Sequence, residues 1–185
     1  MAGFAHLGDE ERLRLHVASV VRATIVAPDG TTFDRDVWRG KAVVAMVPLL
    51  DDGRSALLIR QYRAPIDATL LEIPAGLCDV DGEDPAATAQ RELAEEVGKR
   101  AGRLDVLAGI HPAAGFTDQH VTIYLATELA DVDHAPEGPE ETHATLEVVA
   151  LADVEAMVAD GRLTDAKTII GLLLARDRLA SHERG

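Results

Sequence analysis

Apolar and polar residues alternate along Leu15–Val26, a segment rich in Val and Ile, and Thr31–Trp38 reads as the strand that returns from it. A period of two predicts half-buried strands. Pro28-Asp29-Gly30 between them predicts the turn of an antiparallel β-hairpin. The polar residues 1–12 are expected to be frayed or locally helical. Lys41–Leu50 and Ser55–Gln61 predict another strand pair around Asp51-Asp52-Gly53, and Leu70–Ile73 a short strand stopped at Pro74-Ala75-Gly76. Leu104–Ile110 and His120–Glu128 predict strands on either side of the loop Pro112–Gln119, and Leu146–Leu151 predicts one more.

The rhythm changes after Asp84. That residue is a good N-cap, Pro85 suits the first helical position, and Gly98 can close the helix in a left-handed conformation. A second helix is expected over Asp153–Ala159, closed by Gly161, and a third from a Thr164 cap to about Arg178. Short strands dominate and three helices interrupt them, which is an α+β pattern and not the steady alternation of a doubly wound sheet. The chain is expected to divide into an N-terminal β element, residues 1–39, and a main domain, residues 40–185.

Composition narrows the function classes. The chain has 185 residues, 47% of them hydrophobic, so one domain with a substantial core is possible. Its 32 acidic and 18 basic residues give a net charge of −14, which argues against a nucleic-acid partner, since phosphate backbones need a basic face. Cys78 is the single cysteine, so no internal disulfide can form and a reducing compartment fits. No segment reaches the ~18 apolar residues of a membrane span, and Met1–Glu10 lacks the pattern of a leader. A cytoplasmic location without a membrane partner is the expectation.

The helix after Asp84 carries the candidate chemistry. With Glu92 at zero and about 100° per residue, Glu95 falls near −60° and Glu96 near +40°. The three carboxylates share one arc, while Ala86, Ala89, Leu93 and Val97 fill the neighbouring one. Each like-charge pair at this spacing costs about 0.2–0.5 kcal/mol even when solvated. A hard divalent cation reverses the sign, and carboxylate oxygens are the ligands Mg²⁺ prefers.

The segment reads Gly76, six residues, Glu83, seven residues, Arg91-Glu92-Leu93, one residue, Glu95-Glu96, one residue, Gly98. This resembles the Nudix box of the Nudix hydrolase family. It departs from the usual pattern by one extra residue between Gly76 and Glu83, placed most easily in the loop Cys78–Gly82, and by Lys99 where an aliphatic residue is usual. The insertion precedes the helix and leaves the carboxylate register intact. Beyond the box, Gln61-Tyr62-Arg63, Leu71-Glu72-Ile73-Pro74-Ala75-Gly76, Ala114-Gly115-Phe116-Thr117-Asp118 and Asp165-Ala166-Lys167-Thr168 resemble the ADP-ribose pyrophosphatase branch. Ala114 stands where that branch commonly has proline, and Gln119 where glutamate is frequent.

The resemblance implies a fold, an α/β/α sandwich with a mixed sheet between helices, and a metal-dependent enzyme. It implies Mg²⁺, with Mn²⁺ as a substitute, held by Glu92, Glu96 and the carbonyl of Ala75, with Glu95 a further ligand or a supporting residue. Arg91 with Glu83 would orient the helix. Arg63 would contact a phosphate or a neighbouring acidic group, Glu72 would hydrogen-bond substrate, and Gly115 and Phe116 lie in the loop that approaches it. Trp38 could stack on an adenine or serve a core or interface. The family's general base on a late loop maps to Glu140 or Glu141, with Glu141 preferred from its spacing to the strand at Leu146. The implied reaction is hydrolysis of ADP-ribose to AMP and ribose 5-phosphate. Another nucleoside diphosphate sugar is the alternative, and a non-catalytic binding protein of the same fold a third reading. The N-terminal element implies a homodimer.

Other chemistries lack their residues. Asp79-Val80-Asp81-Gly82-Glu83 misplaces the glycine and the bidentate glutamate of a calcium loop. There is no His-Glu-x-x-His spacing, no Gly-x-Ser-x-Gly elbow and no complete phosphate-binding loop around Gly40-Lys41.

Overall fold

The computed structural model describes residues 3–134 and 138–182. Ten strands run as β1 (Ala5–Arg14), β2 (Ala18–Val26), β3 (Thr32–Gly40), β4 (Val43–Pro48), β5 (Ser55–Arg63), β6 (Ala68–Glu72), β7 (Ala75–Leu77), β8 (Lys99–Ile110), β9 (Val121–Asp131) and β10 (Thr145–Ala150). The helices are α1 (Pro85–Val97), α2 (Gly138–Thr142), α3 (Val154–Ala159) and α4 (Ala166–His182). The chain divides into two compact units, Met1–Ala42 with His111–His120, and Val43–Ile110 with Val121–Gly185.

The first unit is built on a three-stranded sheet in the order β1-β2-β3. The hairpin expected from Leu15–Trp38 is there as β2 and β3, but residues 5–14 are a strand and neither frayed nor helical. Their pairing supplies the reason. Glu10 lies opposite Arg22 and Glu11 opposite Val21 along the antiparallel ladder, and Phe4 meets Phe33 edge-on at 6.2 Å between ring centres. Because every residue of β1 is exposed, the strand has no buried face to stamp an apolar rhythm on its sequence.

In the second unit, a four-stranded sheet runs β7-β4-β9-β8 and a three-stranded one β10-β5-β6. β4 pairs with β9 in parallel, which makes the larger sheet mixed. β4 is central and Val44, Ala45, Met46 and Val47 are all fully buried. A strand covered on both faces reads as an unbroken apolar run. Its two faces serve two cores. Ala45 and Val47 pack with Val154 and Met157 of α3 and Leu172 and Ala175 of α4. Val44 and Met46 pack with Ala89, Leu93 and Val97 of α1. The sheets therefore lie between helices.

The sequence reading of α1 matches to the residue. Asp84 accepts from the Ala86 amide at 2.8 Å, Pro85 opens the helix, and Gly98 ends it at φ 61°. The last helix is capped differently from the expectation. Asp165, not Thr164, takes the amide and hydroxyl of Thr168 at 2.9 and 2.6 Å. Besides β1, the three-residue β7 and the one-turn α2 were not anticipated, both too short to show a period. Among the described residues no helix is long and apolar enough to cross a membrane.

Gly171 sets how closely α4 approaches the sheet. A Cβ there would meet side chains of Val47, Ile73 and Ile123 at 3.0, 3.1 and 3.2 Å. Gly171→Val is expected to destabilise the protein by about 1–3 kcal/mol through overpacking, read as a lower denaturant midpoint. An unchanged midpoint would mean that the helix can lift off without cost.

Candidate active site

Three consecutive features bring carboxylates to one place: the end of β6, the strand β7 and one face of α1. The apolar side of α1 is fixed by the core, with Ala89 and Leu93 fully buried and Val97 nearly so. That fixes the acidic side as well. Glu92 and Glu96 are 9% and 4% exposed. The Ala75 amide of β7 donates to Glu96 Oε2 at 2.8 Å. Glu92 presses against the backbone of β7 so closely that a Cβ on Gly76 would lie 1.9 Å from its Cδ. Glycine at 76 is required by that approach, independently of its backbone conformation.

Burying these acids disfavours their charged forms. Burial raises Glu92 to about 7, aided by the charges of Glu95 and Glu141 and opposed by Arg91. Burial likewise raises Glu96 to about 8, against the bond from Ala75, with Glu92 and Glu141 pushing the same way. Glu141 on α2 is thus near enough to be felt by both. Its neighbour Glu140 instead lines a cavity of about 450 Å³ with Arg60, Tyr62, Thr69 and His143.

Arg91 Nη1 binds Glu92 at 2.8 Å and Glu95 at 3.0 Å. Its Nη2 lies 3.7 Å from Glu83, the partner expected from the sequence, and 3.6 Å from Asp79, which the sequence reading did not single out. Glu83 also accepts from Thr88 at 2.7 Å, which ties it to the first turns of α1. In this arrangement the carboxylates are engaged with Arg91 and the Ala75 amide. Among the described residues no three His, Cys, Asp or Glu side chains are gathered closely enough to hold a metal ion. The donor set nonetheless suits a hard cation: buried carboxylate oxygens, raised in pKa by burial and further by mutual repulsion, lodged in a cradle that a Cβ at 76 would fill.

A second cluster stands beside the first. Glu72, at the end of β6, is 1% exposed. It takes a bidentate pair from Arg63 of β5 at 2.6 and 2.8 Å and a further bond from Lys167 of α4. Lys167 also reaches Asp165 at 3.0 Å. Lys167 lies in the segment that resembles the ADP-ribose pyrophosphatase branch, and nothing in its spacing points to Glu72, 95 residues away. Trp38, Gly115 and Phe116 belong to the first unit. There the Trp38 amide donates to the Phe116 carbonyl at 2.8 Å, and the Asp118 carboxylate accepts from Arg39 and the Gly40 amide at 3.3 Å each. The side chains of Trp38 and Phe116 are both exposed. Cys78 packs against the core that holds α1, as a small partly buried residue.

The NUDIX domain family matches residues 40–170. An ADP-ribose pyrophosphatase of Mycobacterium tuberculosis is 36% identical over 162 residues, 86% of this chain and 78% of that protein. An ADP-ribose pyrophosphatase of Bacillus subtilis is 33% identical over 141 residues, 76% of this chain and 75% of its own. The crystal structure of an ADP compounds hydrolase superposes with a TM-score of 0.86 at 25% identity, covering 100% of this chain and 98% of that one.

The Glu72 cluster yields a pH prediction. Burial pushes the Glu72 carboxyl up, but the Arg63 bond and the charge of Lys167 outweigh it, and the group ends below its ordinary 4.5. A lowered folded-state pKa contributes stability above the unfolded value and loses it as pH falls through the folded one. Glu72→Gln is expected to cost about 3 kcal/mol near pH 7, the low end for breaking a buried pair because Arg63 is partly solvated. The variant should also lose less stability than the parent when pH is lowered from 7 to below 4.5. Parallel curves in denaturant titrations at both pH values would contradict this assignment.

Proposed function

The chain belongs to the NUDIX family, and from that premise we propose that it hydrolyses the pyrophosphate bond of ADP-ribose, giving AMP and ribose 5-phosphate. It is a Nudix hydrolase with that family's fold, similar to ADP-ribose pyrophosphatases. The observation that carries the reading is the pair of buried carboxylates, Glu92 and Glu96, lodged against Gly76 and Ala75. Such acids gain nothing from burial unless a cation joins them.

Glu92 and Glu96 would hold divalent ions, Mg²⁺ in the first place and Mn²⁺ as a substitute, with the carbonyl of Ala75 and with Glu95 once Arg91 releases it. A divalent ion held by these residues would supply charge neutralisation and Lewis acidity for the hydrolysis. Glu141 accepts the proton of the attacking water. Arg91 keeps α1 in register through Glu83 and Asp79. Arg63, held in place by Glu72, presents its exposed edge to a phosphate oxygen, while Glu72 acts on the substrate through Arg63 and Lys167. Gly115, Phe116 and Trp38 are assigned to substrate from the family resemblance alone. Ala114 and Gln119 keep a second reading open, in which the substrate is another nucleoside diphosphate sugar.

The assay is AMP release from ADP-ribose with Mg²⁺, beside a panel of nucleotide sugars. Glu96→Gln is expected to lower kcat by more than the 10–100-fold that follows loss of a group supporting a metal ligand, and to weaken the thermal stabilisation given by Mg²⁺. Glu141→Gln should lower kcat by about 10²–10⁴-fold while keeping that stabilisation. Full activity in Glu96→Gln would sink the metal assignment, and cleavage of a different sugar nucleotide alone would sink the substrate.

The exposed strand β1 suggests the partner. It is a sheet edge carrying Leu7 and Leu13, 60% and 53% exposed, next to Phe4 at 69%. An edge of this kind is a site for association, and a second copy is the proposed occupant. Sedimentation should give a dimer; deletion of residues 1–14 should give a monomer. A monomer at all concentrations in the full chain would refute it.

A further inference from the structure

We propose that His111 and His120 form a site for a borderline transition-metal cation, Zn²⁺ in the first place, at the neck of the loop that carries Gly115 and Phe116. His111 follows Ile110 and His120 precedes Val121, the last pair of the β8–β9 ladder. The two imidazoles therefore stand side by side where the loop leaves and rejoins the strands. Their ring centres are 5.2 Å apart with planes at 70°. Two imidazoles on one tetrahedral zinc, with Zn–N at about 2.0–2.1 Å, hold their ring centres about 5 Å apart. The spacing fits that geometry.

A second observation points the same way. His111 Nδ1 lies 3.2 Å from the carbonyl oxygen of Gln119. A carbonyl can only accept, so Nδ1 carries the hydrogen and Nε2 carries the lone pair. Ligating histidines characteristically donate their other ring N–H to a backbone carbonyl, which fixes tautomer and ring orientation. The His120 ring makes no hydrogen bond among the described residues, and both side chains are exposed to arriving ions. Asp118 is committed to Arg39 and the Gly40 amide, so the protein supplies two nitrogens and water fills the other positions. An all-nitrogen protein set favours Zn²⁺, Ni²⁺ or Cu²⁺ over Mg²⁺, which takes oxygen. The cation would clamp the neck of a loop whose tip is already fixed to β3 through the Trp38–Phe116 bond.

The test uses the full chain in excess Mg²⁺, so that oxygen sites are occupied. Zn²⁺ is titrated calorimetrically into the parent, His111→Gln and His120→Ala, with circular dichroism to confirm the fold. The parent should bind one equivalent that Mg²⁺ does not displace, and each variant should lose it or bind at least about tenfold more weakly. Amide exchange across residues 111–120 should slow on Zn²⁺ addition in the parent alone. Equal binding in all three proteins, or no Mg²⁺-resistant equivalent in the parent, overturns the proposal. None of these readouts depends on which substrate is cleaved.

Discussion

Glu92 and Glu96 are pressed against the backbone of β7 by a helix that cannot turn away. The apolar side of α1 is sealed into the core through Ala89, Leu93 and Val97, so rotating the carboxylates toward water would expose Leu93. Fully burying a leucine is worth about 1.5–3 kcal/mol. Holding one carboxyl about two and a half to three and a half pK units above its usual 4.5 costs about 3.4–4.8 kcal/mol, more than Leu93 alone supplies and within the reach of Leu93 and Val97 together. The core thus sustains an arrangement that electrostatics alone would dissolve. Gly76 and the Ala75 amide complete it, the first by leaving room and the second by giving Glu96 its one neutral donor.

The neighbouring cluster solves the same problem differently. Glu72 is buried more deeply than Glu92, yet its pKa goes down, because Arg63 and Lys167 arrive from β5 and α4. The hydroxyl of Thr168, one residue after Lys167, accepts from the Ile73 amide at 2.9 Å, so the start of α4 is stitched to the end of β6 on both sides of the ion pair. Two buried acids of opposite pKa shift thus sit along one stretch of chain, Glu72 answered by the protein's own cations and Glu96 answered only in part.

Local signals made much of this legible. The α1 helix, its caps and its acidic face could be read because Asp84, Pro85 and Gly98 mark the ends and the 3.6 period marks the sides. The β4 strand showed as an apolar run, although its parallel partner β9 lies 78 residues away and left no trace in spacing. β1 was missed because a wholly exposed strand has no pattern to show. The Arg91–Glu83 pair was foreseen from the motif. Asp79 and Lys167 were not, since a salt bridge across a loop or between distant elements depends on geometry that only the folded chain supplies. The choice between Glu140 and Glu141 was likewise open along the chain. They are consecutive on α2, about 100° apart around its axis, with Glu141 felt by Glu92 and Glu96 and Glu140 beside Tyr62.

Charge balance is the strongest argument for an external cation. Arg63 is shared with Glu72, Lys167 with Glu72 and Asp165, and Arg91 with Glu92 and Glu95. Each basic group in the cluster already answers at least one carboxylate, and the charge of Glu141 acts on Glu96 as well. A pyrophosphate brought into this field would be repelled by the resident acids. Freeing Arg91 would help the phosphates only by leaving Glu92 and Glu95 bare. A small divalent ion held by Glu92 and Glu96 would offset the charge of both the resident acids and the substrate. With such an ion bound, the net charge of −14 would be compatible with an anionic substrate.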